Sequence, residues 1–355
     1  MKTYIGEKET KWLFVMLFTS RAFVGAIHDF ISFSGSIAYL NVMVCTVLVF
    51  LFLLIVNKIN PCMKDDLFSM MRFCYGKPAA VALGTVLTAL SFLNTAVRLR
   101  MFADAVKGAV LPSSPVIYIL LFFAAAAAAV LLLGAEPITR YGYVSAIVIF
   151  FLTAIICLFN VRQYNVSNLY PHGGEYVKKL SSGTSMIYMF SDVLYLYIIS
   201  GFFKSGGAVK RIGIRAAAVS GIAVTLLVLF CCALTPYPAT LAFKYSFFRL
   251  ASLAKSSVVL QRLDGLVYII WIFTGFVSVG ALALFTLITF SETFDTSDTK
   301  GTLPLTVFVI VVLAYSGIGF EKVLNILLCV AAFLLPAVTA AVCRIKTKGR
   351  KSDES

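Results

Sequence analysis

Two ionisable residues sit inside apolar runs that leave them no access to water: Arg21 in "FTSRAFVGAIHDF" and Asp192 in "TSMIYMFSDVLYLY". Even on a lenient insertion scale, a charge at the centre of a bilayer costs about 2.5–3.5 kcal/mol, so each needs a partner or a task. Ser20 and Gly25 flank the arginine, and Ser191 precedes the aspartate. Hydroxyls and a glycine beside a charge suit a helix interrupted at depth, because backbone groups released by the interruption must find partners or line a cavity. In such a cavity Asp192 is an anion able to receive an ammonium group. Ser20, Ser191 and free backbone N–H groups are donors able to receive a carboxylate. The alternative is a purely structural Arg21–Asp192 pair that ties two helices together.

The third apolar run, "SFLNTAVRLRMFADAV", adds three more charges. Arg100 and Asp104 are four residues apart, hence neighbours on one helical face, and are expected to neutralise each other near the outer boundary. Arg98 points elsewhere and has no partner nearby in sequence. It either snorkels outward or faces the cavity, and a structural role is the favoured reading. His28 and Asp29 fall near the outer end of the first run and read as interfacial rather than as a proton relay. Thr274 and Ser278 supply hydroxyl oxygens of the kind a sodium ion accepts, although hydroxyls in membrane helices more often bond their own backbone.

Other chemistry is missing. The eight cysteines show no chelating pattern, and the two histidines are far apart, so neither a metal nor any other cofactor is expected. HExxH, GxSxG and phosphate-binding glycine loops do not occur, which argues against an enzyme.

The elements that must position these residues follow from composition. Of 355 residues 60% are hydrophobic and 13% charged, against roughly 25% charged in soluble domains. Apolar runs of about 20 residues, each enough to cross the hydrocarbon layer as a helix, recur along the chain. The expected spans are 11–33, 35–57, 79–106, 116–134, 141–160, 184–203, 215–236, 264–291, 303–320 and 323–343, ten in all, forming one all-α integral membrane domain. The opening "MKTYIGEKETK" is mixed in charge and the run after it is full length without a small-residue cleavage site, so no removable leader is expected. Lys and Arg are in excess at the termini and in the even-numbered connections, which places both ends in the cytoplasm. The net charge of +14 is spread over loops and a short tail, better suited to anionic lipid headgroups than to nucleic acid.

Two outer connections are long enough to cover a cavity entrance. One is "NVRQYNVSNLYPHGGEYVKKLSSGTS", polar and glycine-rich. The other begins around residue 243, where Phe243, Phe247, Leu250, Ala251 and Ala254 share one helical face and Lys244, Tyr245, Arg249, Ser252, Lys255 and Ser256 the other. This amphipathic helix is either an interfacial anchor or a cap over the outward mouth, after which "LQRLDG" turns the chain into the eighth span.

Five stretches in register, "LRMFADAVKGAVLPSSP" (99–115), "SNLYPHGGE" (167–175), "MFSD" (189–192), "PYPATLAF" (236–243) and "FFRLASLAKSSVVLQRLDGLVYIIWIF" (247–273), resemble the GerAB-type spore germination permeases over essentially the whole chain. That family belongs to the amino acid, polyamine and organocation transporter superfamily. The resemblance implies a LeuT-like fold of two inverted five-helix repeats with broken helices 1 and 6. It also implies a membrane subunit of a nutrient germinant receptor in the cell membrane or spore inner membrane. Such a subunit binds a small germinant, often an amino acid, alongside A-type and C-type partner subunits. The ligand-binding residues expected are Ser20, Arg21, Gly25, Arg98, Ser191 and Asp192. "TSRAFVGA" departs from the family's glycine-rich interruption in the first span by carrying an arginine and a single nearby glycine. A secondary amino-acid transporter driven by H⁺ or Na⁺ is the competing reading; the fifth span lacks a Lys, Asp or Glu for proton coupling, which favours sensing. Partner subunits have two surfaces to choose from, the 58–78 stretch and the outer loops.

Overall fold

The computed structural model describes residues 5–59, 66–170, 176–253, 264–296, 299–317, 319 and 321–353. Within them every regular element is helical: α1 (Glu7–Arg21), α2 (Ile27–Ser34), α3 (Ala38–Ile59), α4 (Leu67–Tyr75), α5 (Lys77–Ala109), α6 (Val116–Leu133), α7 (Ala135–Phe159), α8 (Tyr176–Gly183), α9 (Val193–Ile198), α10 (Ala208–Leu234), α11 (Tyr237–Thr240), α12 (Ser246–Leu253), α13 (Asp264–Phe294), α14 (Thr299–Ser316), α15 (Glu321–Cys329) and α16 (Leu335–Asp353).

Eight stretches among the described residues are long and apolar enough to cross a membrane, and Gly301–Ser316 is a shorter apolar helix. The first stretch, Glu7–Ile59, has 53 residues, far more than the roughly 20 one crossing needs. Gly35, at a φ of 66° that favours glycine, separates α2 from the turn leading into α3. Large apolar side chains remain exposed along several helices, among them Leu51 and Ile55 on α3, Phe122 and Leu132 on α6, Phe151 on α7 and Phe308 on α14. Apolar residues facing outward on helices of this length are what a lipid-facing surface requires. This is the architecture of an integral membrane helical protein.

α1 lies inside this shell. Every residue from Leu13 to Arg21 is buried, the condition under which a helix is surrounded by protein on all sides. α7, α10 and α13 pack around it. Gly142 of α7 allows the closest approach, since a Cβ there would sit 3.3 Å from the Leu13 Cα.

Both crossings expected to be interrupted are. α1 gives way to a π-helical turn over Ala22–Ala26, within which Gly25 leaves helical geometry. The Phe23 carbonyl in this break accepts the indole N–H of Trp271 on α13 at 2.9 Å, so a backbone acceptor inside the break finds a partner in a neighbouring helix. The expected 184–203 span is wound differently from an α-helix. It runs as tight three-residue turns over Thr184–Phe190, a turn at Ser191–Asp192, the short α9, and tight turns again over Ile199–Phe202. Hydrogen bonds from Ser191 N to Tyr188 O, Leu194 N to Ser191 O and Tyr195 N to Asp192 O carry the chain through it. A third irregularity was not expected: a π-helical turn over Val330–Leu334 divides the last apolar stretch. Pro336 follows directly, and its ring clashes with the carbonyl four residues earlier while supplying no N–H, which accounts for the local unwinding.

The segment read as an amphipathic outer helix forms α12, with Phe247, Leu250 and Ala251 buried as expected. Its continuation through Ala254, Lys255, Ser256 and "LQRL", like the "PHGGE" of the other long loop, lies outside the described residues, and the "DG" that follows opens α13.

Replacing Trp271 by Phe keeps most of the ring and leaves the Phe23 carbonyl without its donor. Stability should fall by about 1–3 kcal/mol, read as a lower unfolding temperature of the detergent-solubilised chain.

Candidate functional site

Three elements distant in sequence converge where the Glu7–Ile59 and Lys179–Phe202 stretches are interrupted. The end of α1 brings Ser20 and Arg21, the turn before α9 brings Ser191 and Asp192, and the middle of α5 brings Asn94 and Arg98. Asn94 and Arg98 are one helical turn apart and therefore share a face. All six residues are at most 3% exposed.

Asp192 is the hub. Its Oδ2 accepts Arg98 Nη2 at 2.8 Å and its Oδ1 accepts Asn94 Nδ2 at 3.0 Å. Arg21 Nη2 stands 3.7 Å from the same Oδ1. Arg98 also donates to the Ser20 hydroxyl and, at 3.4 Å, to the Leu17 carbonyl. Arg21 donates to Asn94 Oδ1 at 3.0 Å, to Ser191 Oγ at 3.4 Å and to Asn325 Oδ1 of α15 at 3.2 Å, and its guanidinium lies 5.4 Å from the centre of the Tyr188 ring. Tyr195 accepts from Asn94 at 3.2 Å. The cluster thus holds two guanidinium groups and one carboxylate, braced by amides and hydroxyls.

Above it lies a cavity of about 530 Å³, within the range of small-molecule sites. Gly25, His28 and Asp29 from the break and α2 line it, facing Met101 and Asp104 of α5, Glu321 of α15, and Lys244 and Tyr245 of the segment before α12. A Cβ placed on Gly25 would meet nothing within 4 Å, so the break opens on this space. Tyr188 connects a cavity residue to the cluster. Its ring faces Arg21, and its hydroxyl donates to Asp29 Oδ2 at 3.2 Å. His28 Nδ1 donates to the Phe243 carbonyl at 3.2 Å, and Phe247 of α12 packs edge-on against Phe23 at 5.1 Å. The segment around α12 therefore covers the break.

Of the expected residues, Ser20, Arg21, Arg98, Ser191 and Asp192 are found together, and Gly25 is not. Arg98 does not snorkel outward; it points inward because Asp192 supplies a counter-charge at depth, and it makes the shorter ion pair. The Arg21–Asp192 pair is correspondingly the longer one. The Ser20 and Ser191 hydroxyls are engaged by the two arginines. Gly25 belongs to the cavity and stands apart from the charged cluster. Arg100 and Asp104 pair as expected, at 2.9 Å. Ser278 bonds the Thr274 carbonyl of its own helix at 2.8 Å. Sequence reasoning did not single out Asn94, Asn325, Tyr188 or Tyr195. Asn94 was detectable, being an amide one turn before Arg98 in an apolar helix; Asn325 in "EKVLNILL" carries the same weaker signal. The two tyrosines had none.

The family model described as "Spore germination protein" (spore permease) matches residues 9–323. No curated protein matches the chain.

Changing Asp192 to Asn leaves two buried arginines without a counter-charge, and stability should fall by about 3–5 kcal/mol. Adding Arg98→Met to that variant removes one of the stranded charges, so the double variant should lose less than the sum of the two single ones. Strictly additive unfolding free energies would show that the two residues are not coupled.

Proposed function

We propose, given that this chain belongs to the spore germination protein family whose model it matches over residues 9–323, that it is the permease-like membrane subunit of a nutrient germinant receptor. It binds a small germinant, an amino acid by preference, and passes the binding event to A-type and C-type partner subunits. The observation that carries this reading is the buried charged cluster at the meeting of two interrupted crossings, directly beneath a cavity large enough for an amino acid. Ser20, Arg21, Gly25, Arg98, Ser191 and Asp192 are its binding residues, with Asn94 and Asn325 completing the polar wall.

The architecture we propose is LeuT-like, two inverted repeats of five crossings with helices 1 and 6 broken. Reading Glu7–Ile59 as two crossings and adding Gly301–Ser316 to the remaining seven long stretches brings the number to ten, in agreement with that fold. Both termini are then cytoplasmic, in a cell membrane or spore inner membrane, and the cavity opens outward. α12 and the segment before it form the cap over that mouth.

A second reading, a secondary transporter coupled to an ion, has one observation in its favour. The Thr274 hydroxyl is buried on α13 with no hydrogen-bond partner among the described residues, as an oxygen that ligates a cation would be. Against it, Ser278 is turned to its own helix, and α7 beyond Glu136 has no carboxylate or lysine to carry a proton.

Reconstitution into vesicles with labelled amino acids separates the two. A receptor subunit should show binding that saturates at the stoichiometry of the protein, without accumulation when an ion gradient is imposed, and should copurify with A-type and C-type subunits. Gradient-driven accumulation by the chain alone would make it a carrier.

A further inference from the structure

The buried cluster does not balance. Asp192 gives its shortest contact to Arg98 at 2.8 Å and stands 3.7 Å from Arg21, so one carboxylate serves two guanidinium groups and Arg21 is held mainly by dipoles: two side-chain amides, a serine hydroxyl and the face of Tyr188. An amide orients around a charge without cancelling it, and an under-compensated buried cation is costly at membrane depth. Arg21 is 3% exposed, and its Nε has no acceptor among the described residues. Guanidinium groups present donors in a planar fork matched to a carboxylate. Part of this fork is unused.

Three further acids among the described residues, Asp29, Glu321 and Asp104, line the cavity. Asp29 holds the Tyr188 hydroxyl, Glu321 lines the cavity with it, and Asp104 is already paired with Arg100. Lys244 is the basic residue in that lining. Charge therefore changes from acidic at the cavity lining, where Asp29 and Glu321 stand, to surplus positive at the cluster around Arg21, with Tyr188 touching both. A molecule with an anionic end and a cationic end is matched by this gradient in one orientation only.

We infer that Arg21 is the receptor for a ligand carboxylate, which enters first and supplies the negative charge the cluster lacks, while any ammonium group stays on the cavity side with Asp29 and Glu321. This rests on the germinant-binding reading above and names its ligand class: small carboxylates, with or without an amine. It reverses the simplest assignment from sequence, in which Asp192 takes the ammonium, because Asp192 is already neutralised by Arg98. Tyr188 has to turn aside to admit the carboxylate, which loosens its hold on Asp29 at the moment an ammonium arrives there.

The test uses the full-length chain in lipid nanodiscs and four probes: L-alanine, L-lactate, L-alaninamide and acetate, at constant ionic strength. The first three share a carbon skeleton and differ in charge. Alanine, lactate and, more weakly, acetate should raise the unfolding temperature in a saturable way, and alaninamide should not. Arg21→Gln should weaken the carboxylates at least tenfold, while the unliganded variant unfolds at or above the wild-type temperature because a surplus buried charge has gone. Arg21→Lys, which keeps the charge and loses the fork, should fall between. Alaninamide binding as tightly as alanine, or carboxylate affinity unchanged in Arg21→Gln, overturns the inference and leaves the germinant reading standing. A wild-type chain that responds to none of the four also overturns it; the receptor reading is then decided separately by copurification with the partner subunits.

Discussion

The structure depends on keeping one carboxylate ionised deep in an apolar protein. Asp192 is fully buried, and the desolvation of such a group is repaid only where its oxygens are completely satisfied by well-placed donors. Arg98 and Asn94 meet that condition from a single face of α5, and Ser20 then fixes Arg98 from α1. The requirement dictates where the interruptions fall. Ser191–Asp192 turns where its oxygens can meet α5. α1 stops being an α-helix immediately after Arg21, at a depth where Trp271 is available for the Phe23 carbonyl. Three segments are thereby held in register by charge and hydrogen bonding in an environment where apolar packing alone distinguishes poorly between helix partners.

The two ends of the first crossing are held very differently. At its start, Glu7 pairs with Arg211 at 2.7 Å and accepts from Ser205, and the Ile5 N–H reaches the Phe202 carbonyl. These groups are 38–44% exposed in the ion pair, so the contact is of the kind worth at most about 1 kcal/mol. Beyond the break, α2 borders an open cavity. The break is therefore held firmly on the α1 side, where Ser20 and Arg21 belong to the charged cluster, and less closely on the α2 side, where the cavity begins.

Much of this was legible from residue types. Charges inside apolar runs are rare enough that Arg21, Asp192 and Arg98 stood out, and hydroxyls and glycine beside them forecast the breaks. The pair set by helical spacing, Arg100 with Asp104, also formed as read, and Glu136 and Arg140, four apart on α7, pair in the same way. What sequence does not carry is the choice among partners. Nothing local says that Asp192 prefers an arginine on α5 to one on α1, since that depends on how the helices rotate against each other. Neutral amides such as Asn325 become informative only once a charge is seen to point at them. The π-helical turn before Pro336 was missed for a different reason: a proline near the middle of an apolar run is compatible with a kink, a bulge or a helix end, and neighbouring helices decide which.

The same charge balance bears on whether the chain senses or carries. A ligand shifts a conformational equilibrium only by the difference in its affinity for the two states, and a nearly complete switch needs about 5.5 kcal/mol of such difference. A carboxylate that neutralises a buried cation is a large source of difference, because its worth depends on how well water is excluded around Arg21 in each state. In a sensor that is sufficient: the partner subunits need only read whether the cover over the break has repacked. A carrier must also return empty, and on the Arg21 proposal the empty centre is the charged one. Moving that charge across the field costs about 2.3 kcal/mol per 100 mV for each charge moved through it, a term that a bound monocarboxylate removes and a net-neutral zwitterion leaves in place. On that proposal a centre locally neutral when occupied and charged when vacant is suited to holding a ligand and reporting it, more than to cycling an amino acid.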